Sequence, residues 1–223
     1  MLTQISAKYI AHSHTVCAYT AFFLALIIGC YTHYEKIVTN EYFGYPQEWI
    51  PSVSATTGDR YPARAIFQIF IALTSGPRFA LVFLWYLLTH NKFLLWVGLL
   101  RTVSCGGWVY ITSTDDHATH DIAMVFYVIS TLPWMLSVLY VDSQHSLALK
   151  RRRVLTLLFF GTLIPMIYFF IQHKVHHVPG AYTVYAFFEW SLIVYDVGFD
   201  ALAYYEFENL DLKIGPRLVK DIV

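Results

Sequence analysis

Charged side chains interrupt this sequence where charge is expensive. Six long apolar segments enclose Arg78, Arg101, Glu189, Asp196 and Asp200. An ionisable group inside a bilayer costs roughly 2.5–3.5 kcal/mol even on the gentler insertion scales, so such groups turn toward a bundle interior and find partners or functions there. The pattern predicts an all-α protein, a polytopic six-transmembrane-helix bundle with a polar interior. Composition agrees, with 57% hydrophobic and only 13% charged residues, where a soluble domain carries about a quarter charged. Spans and loops use nearly all of the 223 residues, so a single membrane domain over 1–223 is expected. Cys17, Cys30 and Cys105 all lie in apolar segments, which implies packing rather than a disulfide framework.

A span needs about 20 predominantly apolar residues. The segments fall at about 14–31, 65–88, 93–111, 122–141, 154–171 and 182–204. The first lacks the basic n-region and small-residue cleavage site of a signal peptide and is expected to be retained. Orientation follows the Lys/Arg bias. Lys8, Lys92, Lys150, Arg151, Arg152, Arg153, Lys213, Arg217 and Lys220 fall on one side; Lys36, Arg60, Arg64 and Lys174 fall on the other. Both termini are therefore expected in the cytosol, with a cytosolic tail over 205–223. The Lys150–Arg153 run is the strongest vote, and topology explains it without lipid binding. The long loop at 35–64, expected on the lumenal side, carries Tyr42, Phe43, Tyr45, Trp49 and Tyr61 with Pro46 and Pro51. That content suits a segment lying across the headgroup zone. No N-glycosylation sequon, internal repeat or low-complexity tract occurs.

Helix direction gathers ionisable residues at the lumenal half. Asp115, Asp116, His117, His120 and Asp121 surround the start of the fourth span; His173, His176 and His177 follow the fifth; Asp59 and Arg60 precede the second. Glu189 lies about 12 Å along the sixth span, at 1.5 Å per residue. A neutral imidazole oriented by a carboxylate can take a hydroxyl proton near neutral pH. Zinc ligation by His117, His120 and Asp121 with His173 or His177 is the other chemistry open to such a set, but the spacing matches no strict zinc pattern, and no metal or cofactor is expected. A solvated polar loop accounts for His117, His176 and His177 taken singly.

Glu189, Asp196 and Asp200 are separated by seven and four residues and share one helix face. The third span runs antiparallel and brings Arg101 to mid-membrane opposite Asp196, a pair expected to be structural because buried opposite charges must be paired. Arg78 follows Gly76–Pro77, where proline removes a helix hydrogen bond and is expected to kink the helix. A guanidinium fixed there suits phosphate; a salt bridge to Glu189 fits it equally.

The stretch Pro51-Ser52-Val53-Ser54-Ala55-Thr56-Thr57-Gly58, with Pro62-Ala63-Arg64, Ile71-Ala72-Leu73 and Ser75-Gly76-Pro77-Arg78-Phe79, resembles the Frag/DRAM/Sfk superfamily. His120-Asp121, His173, Gly180-Ala181-Tyr182-Thr183 and Glu189 agree with that pattern. Within it the chain is similar to the lipid-remodelling factors that act after GPI attachment, and to the membrane domain of fungal proteins that install ceramide on GPI anchors. The resemblance implies a six-span protein of the endoplasmic reticulum or Golgi acting at the lumenal leaflet. Its work there would be reacylation of lyso-GPI or replacement of the anchor lipid by ceramide. Its partners would be the GPI lipid, an acyl or ceramide donor, and a protein carrying an exonuclease–endonuclease–phosphatase-like lumenal domain in trans, unless the chain is a minimal reacylation-type member. No nucleic acid is expected.

On this reading His120, His173, Glu189 and Asp121 are the catalytic set, and Arg78, Arg64 and Asp59 bind substrate. The alternatives are a non-catalytic lipid-organising or regulatory membrane protein, whose buried charges are scaffold, and a lipid transporter. Convergence of Arg78, His120, His173 and Glu189 on one lipid-sized cavity open sideways to the lumenal leaflet would favour the first reading; scattered charges, each paired locally, would favour the non-catalytic one.

Overall fold

The computed structural model describes residues 3–141 and 145–214; Arg217 and Lys220, counted above among the inside charges, lie outside the described residues. The elements in chain order are β1 (Thr3–Ser6), α1 (Lys8–Val38), α2 (Val53–Gly58), α3 (Ala63–Thr89), α4 (Lys92–Tyr110), α5 (His117–Leu139), α6 (Ser146–Lys174), α7 (Ala181–Ala201), α8 (Ala203–Phe207) and β2 (Asp211–Ile214). Five of them, α1, α3, α4, α5 and α6, are long and apolar enough to cross a membrane. The expected sixth span falls on α7, which has 21 residues but carries three acids that dilute its apolarity. α1 is longer than the apolar window that announced it, and His33 near its end leaves helical geometry at φ −144°. α3 runs unbroken through Pro77.

Outward faces are apolar, as a lipid-facing surface requires: Ile27, Leu73, Val103, Ile129, Leu157 and Ile164 are all exposed. Hydroxyls on these helices are satisfied locally, with Thr15, Thr74, Thr102, Thr131 and Thr156 each donating to the carbonyl four residues back. Ala18, Ala21, Ala25 and Gly29 form a buried stripe of small residues on α1. In lipid, where association depends on close backbone approach, such a stripe lets helices pack tightly, and α1 packs along α3. The α3–α4 hairpin closes with His90 in the left-handed region and Asn91 accepting from the Phe93 and Leu94 N–H groups.

The helices form a ring. α1 packs on α3, α3 on α4, α4 on α5, α6 on α7, and α7 returns to α1, while α5 and α6 meet only sparsely. At one end of the ring the chain's two ends meet: β1 pairs antiparallel with β2, Thr3 opposite Ile214 and Ser6 opposite Asp211. α8 is fixed beneath them by Arg152, whose Nη1 and Nη2 reach the two Glu206 carboxylate oxygens at 2.5 and 2.8 Å. The Arg152 guanidinium also lies 5.2 Å from the Trp85 ring. Within the Lys150–Arg153 run, then, Lys150, Arg151 and Arg153 are exposed and Arg152 is buried. Part of that basic signal is a packing residue.

Gly98 on α4 marks the tightest crossing. A Cβ there would lie 2.7 Å from both Trp134 Cζ3 and Val82 Cγ1, and neither an indole nor a β-branched side chain in a packed core yields cheaply. Gly98→Ala is expected to destabilise the fold by about 1–3 kcal/mol, the usual range for overpacking, read as a lowered unfolding temperature in detergent. Gly161→Ala, where nothing lies within 4 Å, should leave that temperature unchanged.

Candidate functional site

The loop between α1 and α3 folds into the open end of the ring. Pro51, Ser52, Val53, Thr56, Thr57 and Gly58 are all buried, so the expected interfacial segment is in part a plug. Backbone groups taken into a bundle must be satisfied, and α7 supplies the partners. Trp49 N–H donates to Thr183 Oγ1 at 2.8 Å, Ser52 N–H to Tyr182 Oη at 3.0 Å, and Val53 N–H to Glu189 Oε2 at 2.7 Å. Trp190 Nε1 donates to the Pro51 carbonyl at 2.9 Å. In return Glu48, fully buried, accepts from the Gly180 and Thr183 N–H groups at 3.0 and 2.8 Å. A carboxylate at a helix N-terminus satisfies orphan donors and the dipole together.

At the rim of this end, Arg64 grips Asp115 with both guanidinium nitrogens, and that contact holds the Asp115 carboxyl below its ordinary range. Asp59, partly buried nearby, is pushed upward by burial against the pull of Arg60, His120 and Arg64. His120 Nδ1 lies 2.9 Å from the Ile111 carbonyl, and its ring stands edge-on to Trp108. His120 Nε2 is buried with no partner among the described residues. Asp121 faces His117 at 3.4 Å on an exposed helix surface. His173 is 4% exposed and packs against Tyr182 and Tyr42. Among the described residues, no three His, Cys, Asp or Glu side chains gather to hold a metal ion.

Deeper, a polar network crosses the bundle. Arg101 bonds Asp196, donates from Nη1 to Asp200 Oδ2 at 2.9 Å and from Nε to Thr131 at 3.1 Å. Trp134 Nε1 donates to the other Asp200 oxygen at 2.9 Å. The expected Arg101–Asp196 pair is present, and Asp200 joins it. The Arg78–Glu189 bridge, one of the two readings open for Arg78, is absent among the described residues. Arg78 Nη2 instead donates to Tyr127 Oη at 2.9 Å, and Tyr127 in turn donates to Asp196. Tyr127 is packed between the two guanidiniums, 5.4 Å from Arg78 and 5.1 Å from Arg101. His14 on α1 lies within electrostatic reach of Arg78, Arg101 and Asp200, with both ring nitrogens unpartnered among the described residues.

Two cavities flank this network. One, of about 290 Å³, occupies the sparse seam between α5 and α6; Met124, Val128, Leu163 and Met166 line it, with Glu189, Tyr185 and the plug residues Val53 and Ser54 at its polar wall. The other, of about 220 Å³, lies between α3 and α4 and holds Arg78, Thr74, Ser75 and Cys105. Trp108, Tyr127, Ile193 and Asp196 line both. Glu189 and Arg78 thus face adjacent cavities, and His120, His173, Asp121, Arg64 and Asp59 line neither.

Residues 6–210 match the family described as Frag1/DRAM/Sfk1/Cwh43P N-terminal domain. The chain belongs to that family. It is 50% identical over 210 residues to protein cwh43 of Schizosaccharomyces pombe, an alignment covering 92% of this chain and 22% of that protein. The chain therefore spans about a fifth of that relative's length. It is also 26% identical to acyltransferase PGAP2 of Xenopus tropicalis, over 74% of each chain. Identity to post-GPI attachment to proteins factor 2-like of Drosophila melanogaster is 22%, over 96% of this chain and 76% of that one. No solved structure matches. The Pro51–Gly58 stretch that carried the Frag resemblance is the plug itself.

Breaking a buried ion pair from one side leaves the other charge without compensation. Asp196→Asn and Arg101→Gln are each expected to destabilise the fold by about 3–5 kcal/mol, measured by thermal unfolding in detergent. Glu48→Ala should lose about 1 kcal/mol, the usual value of a helix cap, and release the plug, seen as faster proteolysis within residues 39–62.

Proposed function

We infer that the chain remodels the lipid of GPI anchors, by acyl or ceramide transfer, at the lumenal leaflet of an endoplasmic reticulum or Golgi membrane. The observation that carries this reading is the apolar cavity in the α5–α6 seam, open sideways to the lipid-facing surface, with a buried carboxylate, Glu189, on its wall. A cavity of that kind accepts lipid tails laterally and offers one polar group to a hydroxyl. Relatives named as a post-GPI attachment factor and as an acyltransferase support this reading.

Topology is part of the proposal. We read α7 as the sixth span, with its acids turned inward and paired. The β1–β2 ladder supports an even number of crossings, since it ties residues 3–6 to residues 211–214 on one side of the ring. The exposed Lys150, Arg151 and Arg153 favour the cytosol for that side. The plug, the rim residues Arg64 and Asp59, and the histidines then face the lumen. At headgroup depth, Arg64 and Asp59 stand where a GPI phosphate and sugar would lie, and His120, whose Nε2 has no partner among the described residues, is the candidate base. His173 and Asp121 are placed at the same rim, His173 packed on Tyr182, which holds the plug. The scaffold alternative draws on the local pairing of Arg101 with Asp196 and Asp200 and on the Val53 N–H that Glu189 accepts.

Glu189→Gln and His120→Gln, introduced into cells that depend on this chain, should abolish remodelling while protein level and localisation stay at the parent's. Lipid analysis of GPI-anchored proteins decides it: normal anchors in Glu189→Gln cells would return the buried carboxylate to a scaffold role. Tags at both ends should be protected or exposed together in sealed microsomes.

A further inference from the structure

The α3–α4 cavity is not used by the reading above, and its chemistry differs from that of its neighbour. Its polar group is a cation. Arg78 makes one hydrogen bond to Tyr127 Oη and one long contact, 3.9 Å, to Cys105 Sγ, while its Nε has no partner among the described residues. Both nearby carboxylates, Asp196 and Asp200, are held by Arg101. The guanidinium is thus fixed by a phenol, with no carboxylate of its own among the described residues. Arg78 also lies deep, about 22 Å along α3 at 1.5 Å per residue, well below a headgroup phosphate. At that depth a membrane lipid presents hydrocarbon and, when drawn inward, its ester carbonyl. Phe79, Val103 and Tyr110 line the cavity and are exposed on the lipid-facing surface, so its entrance is lateral as well.

We propose that the α3–α4 cavity is a second lipid site, holding an acyl chain of a lipid ester with Arg78 and Tyr127 at its carbonyl, while the α5–α6 cavity holds the hydroxyl-bearing lipid. The proposal rests on the remodelling reading and deepens it, since it names the donor as a membrane lipid ester. Tyr127 and Asp196 line both cavities, so a shared wall of side chains separates the two lipids, and transfer requires one of them to reach past it. The reaction is then a transesterification. The acceptor hydroxyl oxygen bonds to the acyl carbon, the donor's acyl–oxygen bond breaks, and the hydroxyl proton ends on the departing oxygen. Atoms balance without water, nucleotide or cofactor. Arg78 supplies what the step needs most, a preorganised donor aimed at the carbonyl oxygen as negative charge develops there. Tyr127, held between Arg78 and Asp196, fixes that guanidinium in place.

Gly106 offers a clean way to close this cavity. It lines the cavity, and a Cβ there meets only Tyr110 Cδ2, at 3.9 Å, so the first atom of a Gly106→Leu side chain is admitted and the rest is directed at the cavity. The purified full chain is reconstituted in vesicles with a phosphatidylcholine carrying a photoactivatable diazirine in one acyl chain, and adducts are mapped by mass spectrometry. Adducts are expected on α3 and α4 cavity residues as well as on α5 and α6. In Gly106→Leu the first set should fall at least tenfold while the second persists, and GPI-lipid remodelling in cells should fall at least tenfold. Three results overturn the second site: no α3–α4 adducts in the parent chain, labelling there by a diazirine fatty acid in preference to the ester, or full remodelling by Gly106→Leu. Because Glu189→Gln tests the α5–α6 cavity separately, normal remodelling in that variant sinks the wider reading, whereas normal remodelling in Gly106→Leu alone sinks only the second lipid. The adduct map on the parent chain needs no variant to fold.

Discussion

Arg101 and its two aspartates hold this bundle together and decide what else it can contain. Each of these charges alone would be untenable in hydrocarbon; Arg101 sits between the two carboxylates, Thr131 and Trp134 add hydrogen bonds, and Arg78, reaching Asp196 through Tyr127, supplies the second positive charge that balances the set. Their geometry ties α4 to α7 and, through Tyr127 and Arg78, both of them to α5 and α3. Four helices thus meet at one polar knot. Apolar side chains pack above and below it, and the two cavities are the spaces the knot leaves on either side. A bundle stitched only by Leu and Phe would have no reason to keep such spaces, since neighbouring helices would close on them.

The sequence spoke clearly where a residue type is rare and its spacing regular. Three acids on one face of α7 and one arginine on an antiparallel neighbour were enough to predict the Arg101–Asp196 contact. It was silent where the partner is common. Arg78 pairs with Tyr127, one of 17 tyrosines, and nothing in the spacing of α5 distinguishes that phenol from the rest. Glu189 was legible as a buried carboxylate, but its partner is the backbone N–H at the start of α2, a single short turn that carries no period from which insertion can be read. Glu48 is the same case seen from the other side: an acid in a polar-looking loop that turns out to cap a helix 132 residues away in sequence.

Two signals were present and could have been used. The Ala18, Ala21, Ala25 and Gly29 stripe has the small-residue spacing of a tight membrane helix pair, which would have placed α1 against another helix before any coordinates. His14 on the same helix opens the first apolar segment, where a buried imidazole has no aqueous partner. By contrast, Arg152 was concealed by its neighbours. In a run of four basic residues the bias explains all of them at once, and only packing against Trp85 and Glu206 separates the one that is structural.

The sparse contact between α5 and α6 carries a consequence for how the protein senses its surroundings. The other junctions in the ring carry more contact between their helices, so their width is set more by the chain itself. This one is closed by whatever fills the gap, and in a membrane that filler is hydrocarbon. Lateral pressure in the bilayer, rather than interhelical packing, then sets how far the seam stands open. A thicker or more ordered membrane would squeeze it and a thinner, more fluid one would relax it, so the same chain would admit lipids differently as the membrane around it changes.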